Sequence, residues 1–395
     1  MPVWVTRSSW SNSFQLRSLR CAGVSCRSGV GIPHLRQLYG ASALPTLPRR
    51  PDTLRTGNPH RPPAEGEHVP RSWLRGVFDP LTIAVTVALV VGLLLPAPGS
   101  WLPTVMVLAK IAIGFLFFLN GIRISTSDII AGVNHWRMHL TILVITFVIF
   151  PIIGWVMQFL PSIMLRPELH AGVIFMCLVP STVQASISFT AIAGGNVPAA
   201  IIGATLSNLV GVIATPLLTY LLLSPAGDVT INAATARDLV LSLVLPFILG
   251  QLVRPRVKAW VDSHEPTLRN VGRESIMLVV YAAFSTAQDQ HFWKRLDWWE
   301  ILQMLAMSIT VLVVILPLSR WIAVRLGFDR GDAIAIQFCG SKKALATGLP
   351  IATILFSGNA LGLVMVPLII FHQVQLVGCS WLANHYARQL RSATS

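Results

Sequence analysis

The sequence predicts an all-α polytopic membrane protein with ten transmembrane helices. Of its 395 residues, 53% are hydrophobic and 12% are charged, whereas about a quarter of the residues are charged in an average soluble protein. Apolar stretches of roughly 20 residues, the length at which a helix crosses a bilayer, alternate with short charged connections. These stretches are continuously apolar, so membrane helices rather than barrel strands are predicted.

The ten candidate spans are separated by polar or turn-forming residues. Pro96 and Pro98 divide the first span from the second, and 254–273 is a long charged connection. Two connections, 193–197 and 356–360, are short and uncharged, which predicts tightly coupled hairpins. The predicted spans are 79–96, 102–122, 138–160, 170–193, 197–224, 236–254, 272–290, 299–322, 332–356 and 359–386.

The N-terminal residues 1–75 hold no apolar stretch long enough to span a bilayer. They are rich in Arg, Ser, Pro and Gly, a composition typical of disorder, and an Arg-rich, acid-poor transit peptide would share it. The alternative is a mis-assigned start, with translation beginning near Val69. Residues 391–395 are predicted to form a short C-terminal tail. We assign no function to either end.

The net charge is +14 at pH 7, but its location argues against a nucleic-acid partner. Residues 1–78 hold eleven Arg and three acidic residues, and most other basic residues lie between apolar spans, where they set topology. With the N-terminus inside, twelve of these lie on the cytoplasmic side. The four on the outer side are Arg166, Arg237, Lys294 and Arg295. Both termini are therefore predicted to be cytoplasmic, and the preference for Arg over Lys favours a bacterial inner membrane.

Catalytic and metal-binding motifs are absent from the sequence. The five cysteines show neither metal-ligand spacing nor an even framework. The motifs of serine hydrolases, zinc peptidases and P-loop enzymes do not occur, and within the predicted spans Asp and Glu lie only among the first or last three residues. We therefore predict neither an enzyme nor a metal centre.

The first five and the last five spans form predicted repeats at 76–230 and 231–390. The fourth span of each repeat is interrupted, by PSTVQAS from Pro180 and by FCGSKK from Phe338. Because five is odd, the two repeats would have opposite orientations in the membrane. Corresponding breaks in inverted repeats are typical of transporters that bind their solute at broken helices.

The first break concentrates neutral oxygen atoms after Pro180, which lacks an N–H and disrupts a helix. Such oxygens suit Na⁺ or the polar end of an organic solute. Ser and Thr in membrane helices also bond their own backbone or a neighbouring helix, but the pairing with a second break favours a binding site. The candidate residues here are Thr182, Gln184, Ser186, Ser188 and Thr190.

The second break carries two adjacent lysines inside an otherwise uncharged stretch, 333–356. A charge at mid-bilayer costs about 2.5–3.5 kcal/mol on insertion scales, so ionisable residues there usually serve an ion or solute pathway. Snorkelling to water is awkward so near the centre of a span. We expect one lysine near the site and the other in a structural role. The candidate residues are Gln337, Ser341, Lys342 and Lys343.

Other polar residues within the spans have more ordinary interpretations. Lys110 is predicted to snorkel, and His372 is predicted to be a packed core residue. Interhelical hydrogen bonds are predicted for Gln373, Gln375 and Asn208. Secondary candidates for the site are Asn120, Thr146 and Asn208.

Four stretches carry a resemblance to a known family: FLFFLNGIRIS (115–125), PSTVQASISFTAIAGGNVPAA (180–200), SNLVGVIATPLLT (207–219) and FCGSKKALATGLP (338–350). They resemble the bile acid/sodium symporter superfamily, most of all its branch of sodium-dependent transporters with bacterial and vertebrate members. The resemblance covers nearly all of 75–390. It implies ten helices in an inverted repeat of five, with panel and core domains, and broken helices four and nine that cross in the core.

Most positions that hold sodium ligands in that family are occupied by different residue types in this sequence. The resemblance places Gln337 where relatives have a Glu, and Ser341 and Lys342 where they have a Gln-Asn pair. In the fourth span only Ser186 matches a ligand, and Thr146 falls where a third-span Gln stands. Na⁺ at Ser186, Gln337 and Ser341 would therefore lack a carboxylate and face an ammonium, which would repel it strongly.

These observations predict a secondary transporter of a small organic anion or amphipathic solute that works by alternating access. A lysine would replace a sodium ion, so transport would be Na⁺-independent or proton-linked. Two alternatives stay open, namely Na⁺ symport and a non-transporting membrane regulator of ion or lipid handling. The expected partners are the solute and the lipid bilayer, with no cofactor beyond Na⁺ or H⁺ as a coupling ion.

Overall fold

The structure, a computed structural model, describes residues 80–123, 135–161, 165, 167–223, 237–289, 297–356 and 359–394. The predicted tail at 1–75 lies outside the described residues. So do Arg166, Lys294 and Arg295, three of the basic residues assigned above to the outer side. Within the described ranges the regular secondary structure is helical, without strands. The all-α prediction is thus confirmed for this part of the chain.

Twelve helices make up the described residues. They are α1 (Pro80–Leu94), α2 (Leu102–Arg123), α3 (Trp136–Met157), α4 (Pro167–Leu178), α5 (Val183–Ile192), α6 (Val197–Leu223), α7 (Arg237–Ser263), α8 (Glu265–Asp289), α9 (Trp298–Arg325), α10 (Arg330–Gly340), α11 (Leu345–Leu355) and α12 (Asn359–Thr394). A π-helical turn interrupts α3 at Ile145–Ile149 and α7 at Val240–Val244.

Six of these helices, namely α2, α3, α6, α7, α9 and α12, are long and apolar enough to cross a membrane. A seventh span results when α4 and α5, which are bent by 62° at their break, are counted together. The chain is therefore a multi-pass helical membrane protein. By length and composition, the described helices establish six or seven spans. The number of ten spans stays a prediction.

Three helices extend into regions that the charge pattern assigns to connections or to the C-terminal tail. Helices α7 and α8 meet at His264, inside the predicted 254–273 connection. Pro266 is tolerated in the first turn of α8 because its missing N–H would have no partner within the helix there. Helix α12 likewise continues to Thr394. Charge marks where a span leaves the bilayer, whereas a helix can continue into water.

The helices pack in two groups. Helices α1, α2, α7 and α8 pack on one another, and α3–α6 pack with α9–α12. In the first group, α2 and α7 approach closely at Gly121 and Gly250, where a Cβ on either residue would collide with the opposite backbone. Gln251 Nε2 donates to the Gly121 carbonyl at 2.7 Å. The second group contains both helix breaks, and these position the candidate site.

Candidate functional site

The two helix breaks lie against each other and are joined by hydrogen bonds. The Ala344 N–H donates to the Pro180 carbonyl at 2.7 Å, and Thr182 Oγ1 donates to the Lys343 carbonyl at 2.8 Å. Backbone groups that helix ends leave unpaired thus find partners in the opposite break. Unwound backbone inside a membrane requires such partners because no water is present to replace them.

Helix α6 supports the first break. Gly211 lets Pro180 approach it, since a Cβ at this glycine would overlap the proline ring. The Ser181 N–H donates to Ser207 Oγ at 3.1 Å and not to the carbonyl four residues before it. The Cys177 carbonyl is therefore available to another donor.

The Lys343 ammonium is completely buried and surrounded by backbone carbonyls. Its Nζ donates to the carbonyls of Cys177 at 2.7 Å, Val179 at 2.9 Å and Thr146 at 3.0 Å. It also lies 4.0 Å from the centroid of the Phe150 ring, a favourable position for a cation. An ammonium has three N–H donors and no acceptor, so the three carbonyls satisfy it fully. We call the three carbonyls and the Phe150 ring that surround this ammonium the Lys343 site.

The π-helical turn in α3 frees one of these carbonyls. The Phe150 N–H donates to the carbonyl of the first residue of the turn, Ile145, as an i to i+5 bond. Pro151 has no N–H to offer the next carbonyl. The Thr146 carbonyl therefore lacks its usual donors within the helix and accepts from Lys343 instead.

Both backbone groups of Lys343, the N–H and the carbonyl, are hydrogen-bonded to Gln375. Gln375, completely buried on α12, accepts from the Lys343 N–H and donates to its carbonyl, each at 2.8 Å. Gln375 Nε2 also lies 3.0 Å from His372 Nδ1. The sequence predicts an interhelical bond for Gln375 but not its partner, because the contact joins helices that only tertiary packing brings together.

Lys342 is equally buried, but its ammonium has fewer partners. It donates one hydrogen bond, to the Ala185 carbonyl at 3.1 Å. The ring centroids of Phe189 and Phe338 lie 4.3 and 4.7 Å from Nζ. In the part of the chain that the structure describes, neither lysine pairs with a carboxylate. Both charges are thus stabilised by carbonyl oxygens and aromatic faces alone.

Gln337 uses both ends of its amide on neighbouring helices. Its Nε2 donates to the Leu316 carbonyl at 2.8 Å, and its Oε1 accepts from the Tyr386 hydroxyl at 2.9 Å. Ser186 is buried beside the second break, where its Oγ donates to the Phe338 carbonyl at 3.2 Å. The structure therefore places both predicted residues at contacts between helices of the second group.

Asn208 links the first break to α11. Its Nδ2 donates to the Ser181 carbonyl at 2.6 Å, and its Oδ1 accepts from Thr347 Oγ1 at 2.8 Å. Thr146 takes part through its backbone, since its own hydroxyl donates to the Ile142 carbonyl at 2.8 Å. The family resemblance points to Thr146 as the position of a side-chain ligand, and it does not predict the role of the Thr146 carbonyl.

The remaining candidates differ in exposure and in place. Gln184 and Ser188 are exposed on one face of α5, one turn apart. Thr190 and Ser341 are completely buried. Asn120 is half-buried on α2, which belongs to the other helix group, so the structure does not bring it to the breaks.

Comparison with known proteins identifies relatives along nearly the whole helical region. The sequence profile of the SBF-like CPA transporter family matches residues 79–388. The uncharacterized protein PA2026 of Pseudomonas aeruginosa is 44% identical over 318 residues, which are 80% of this chain and 95% of that protein. The Escherichia coli protein named "Putative symporter YfeH" is 39% identical over 313 residues, 79% of this chain and 94% of its own.

A vertebrate relative is more distant. Sodium/bile acid cotransporter 7 of the mouse is 28% identical over 284 residues, 71% of this chain and 83% of that protein. The matched residues of this chain, 79–388, span both helix breaks and both lysines, and the resemblance inferred from the sequence is confirmed. The chain belongs to the SBF-like CPA transporter family.

Proposed function

We propose that this chain transports a small organic anion or amphipathic solute by alternating access, without Na⁺, and that the Lys343 ammonium takes the place of a coupling cation. The Lys343 site is the observation that carries the proposal. It holds three backbone carbonyls within 3.0 Å of a completely buried ammonium. Carbonyls freed at broken helices are the groups that coordinate coupling ions in transporters of this general design.

Electrostatics supports the absence of a metal ion. Two unit charges 4 Å apart interact by about 4 kcal/mol at an effective dielectric constant of about 20. A Na⁺ beside Lys342 and Lys343 would meet this repulsion without a carboxylate to offset it. The same charges favour the anionic end of a solute, and the exposed pair Gln184 and Ser188 offers polar partners nearby on α5.

The proposal includes the finer architecture. The ten spans would form inverted repeats at 76–230 and 231–390, with α1, α2, α7 and α8 as the panel domain and the other helices as the core domain. The two packing groups and the hydrogen bonds between the breaks support this division. We place both termini in the cytoplasm and the protein in a bacterial inner membrane, on the charge distribution described above.

Na⁺-coupled symport is the second candidate, because relatives carry the names symporter and sodium/bile acid cotransporter. Na⁺ would then bind near Ser186, Gln337 and Ser341. The first two already use their polar side chains in hydrogen bonds between helices. Binding an ion there would require these contacts to rearrange.

Solute flux through reconstituted liposomes tests the proposal. Uptake of a panel of radiolabelled organic anions is measured with Na⁺ or choline outside, and with or without an imposed pH gradient. We expect uptake that Na⁺ replacement leaves unchanged, and a response to the pH gradient would identify proton linkage. Uptake that requires Na⁺ would establish symport instead. A protein that carries none of the anions under any gradient would favour the non-transporting regulator.

A further inference from the structure

A cavity of about 240 Å³, lined mostly by charged residues, opens where the end of α2 meets the end of α7 and the start of α8. These helices belong to the group that does not contain the breaks. The cavity is lined by Arg123, Arg254, Lys258, Asp262 and Glu265, with Ile122 and Val261 as apolar contributors. Nothing in the proposed transport mechanism uses these residues.

The acids of this cavity neutralise its cations only in part. Glu265 pairs with Arg269 at 3.3 Å, outside the cavity lining. Among the described residues, neither Asp262 nor Glu265 forms an ion pair with the three lining cations. Glu265 attracts Arg123 electrostatically without forming an ion pair with it. The lining carries three cations and two carboxylates, a formal excess of one positive charge, which favours an anion.

Two of the guanidinium groups hold buried donors that lack acceptors. Nε and Nη2 of Arg123 and Nε of Arg254 are inaccessible to solvent and have no hydrogen-bond partner within the described residues. Buried polar groups in native proteins are nearly always paired, and leaving one unpaired costs about 1–3 kcal/mol. Planar guanidinium forks bind phosphate through parallel hydrogen bonds. A phosphate oxygen in the cavity would supply these acceptors once the two side chains turn their donors toward it.

The surroundings favour a phosphate that carries acyl chains. The outer face of α7 exposes large apolar side chains that lead along the helix toward the cavity: Leu245, Ile248, Leu249 and Leu252. Ile122 and Val261 belong to a small separate cluster of buried apolar residues with Leu119 and Leu268. The topology predicted above puts this end of the helices in the cytoplasm, where basic pockets between membrane helices bind anionic headgroups.

We propose that this cavity binds the phosphate group of an anionic phospholipid. The guanidinium groups of Arg123 and Arg254 bind the phosphate oxygens, Lys258 contributes charge at the exposed rim, and the acyl chains lie along α7. The occupied site ties α2, α7 and α8 together at one end. This inference is independent of the transported solute and of the ion dependence.

Thermal unfolding of the full chain in detergent, with added lipid, tests the site. We expect phosphatidylglycerol to raise the Tm of the wild-type protein more than phosphatidylcholine does, because the latter carries no net charge. Arg254→Gln should abolish that difference. The matched control is Arg256→Gln, an exposed arginine on the same helix and outside the cavity, which should keep it.

Two further measurements, on Lys258→Gln and with inorganic phosphate, complete the test. Lys258→Gln changes an exposed side chain and should fold even if Arg254→Gln does not, and it should reduce the lipid-specific shift in part. Millimolar inorganic phosphate that reproduces the whole shift, with the same loss in Arg254→Gln, would confirm the phosphate site but assign it to a soluble anion. Equal shifts with both lipids, or equal losses in Arg254→Gln and Arg256→Gln, would overturn the proposal.

Discussion

Lys342 and Lys343 are adjacent in the sequence and equally buried, yet their ammonium groups lie in chemically different surroundings. Lys343 is bonded to three carbonyls and faces one ring, whereas Lys342 is bonded to one carbonyl and lies between two rings. Hydrogen bonds fix a charge at one point, whereas an aromatic face attracts it with little directional preference. Burial alone therefore does not define a role. We infer that Lys343 is part of the folded framework and that Lys342 is the more adaptable cation.

The largest expected difference lies between Lys343→Met and Lys342→Met. Removing the Lys343 ammonium leaves three buried carbonyls unpaired, which should lower the free energy of unfolding by about 3–5 kcal/mol. The Ala185 carbonyl lies inside α5 and keeps its helical donor. Removing the Lys342 ammonium therefore leaves no carbonyl unpaired and should cost only about 1–2 kcal/mol. Thermal unfolding in detergent ranks the two variants. Equal losses would contradict the distinction.

The next largest effect concerns the residue that holds the backbone of Lys343. Gln375→Ala removes a donor and an acceptor from that backbone, so we expect a loss of about 2–3 kcal/mol. Gln373 offers a matched control, because it is half-buried on the same helix and makes neither bond to Lys343. Gln373→Ala should cost below about 0.5 kcal/mol. If both variants unfold at the same temperature, Gln375 does not position Lys343.

A double-mutant cycle sharpens the account of Lys342. Phe189→Leu keeps an apolar side chain but removes one aromatic face from the ammonium. We expect the stability effects of Phe189→Leu and Lys342→Met to be coupled by about 0.5–2 kcal/mol. The same cycle between Phe189→Leu and Gln373→Ala should be additive. Additivity in the first cycle would show that the ring does not stabilise the charge.

The smallest effect on stability is expected at the exposed face of α5. Gln184→Ala and Ser188→Ala should each change the free energy of unfolding by below about 0.5 kcal/mol. If this face meets the solute, both variants should nevertheless reduce uptake in proteoliposomes by severalfold. Unchanged uptake in both would remove them from the candidate site.

The sequence alone predicts the parts of the fold that follow from local chemistry. Long apolar stretches predict the membrane helices, and Pro180 and Gly340 mark the two helix breaks that the structure contains. The pairing of these breaks predicts that they meet, and they do so through the bonds at Thr182 and Ala344. The helices and the breaks depend on residues near one another in the chain. The contact between the breaks joins residues 161 positions apart and is implied by the family resemblance.

The partners of the lysines could not be predicted in the same way. The Lys343 site consists mainly of backbone carbonyls. Every residue has such a carbonyl, so the residue types in the sequence do not indicate which ones bind the lysine. One of them, at Thr146, is available only because a π-helical turn precedes Pro151. A second, at Cys177, is available because Ser207 on α6 takes the usual donor. Only the packing of α3, α4 and α6 brings these groups together.

The ion dependence of thermal stability tests the central claim most directly. The wild-type protein and Lys343→Ala are purified in detergent, and NaCl is replaced by KCl or choline chloride at constant ionic strength. We predict the same wild-type Tm in all three salts, because the ammonium already occupies the carbonyl groups. Lys343→Ala should recover part of its lost stability in Na⁺ alone, since an ion that binds only the folded state stabilises it. A Na⁺-specific rise in the wild-type Tm would contradict the claim that Lys343 stands in place of a coupling cation.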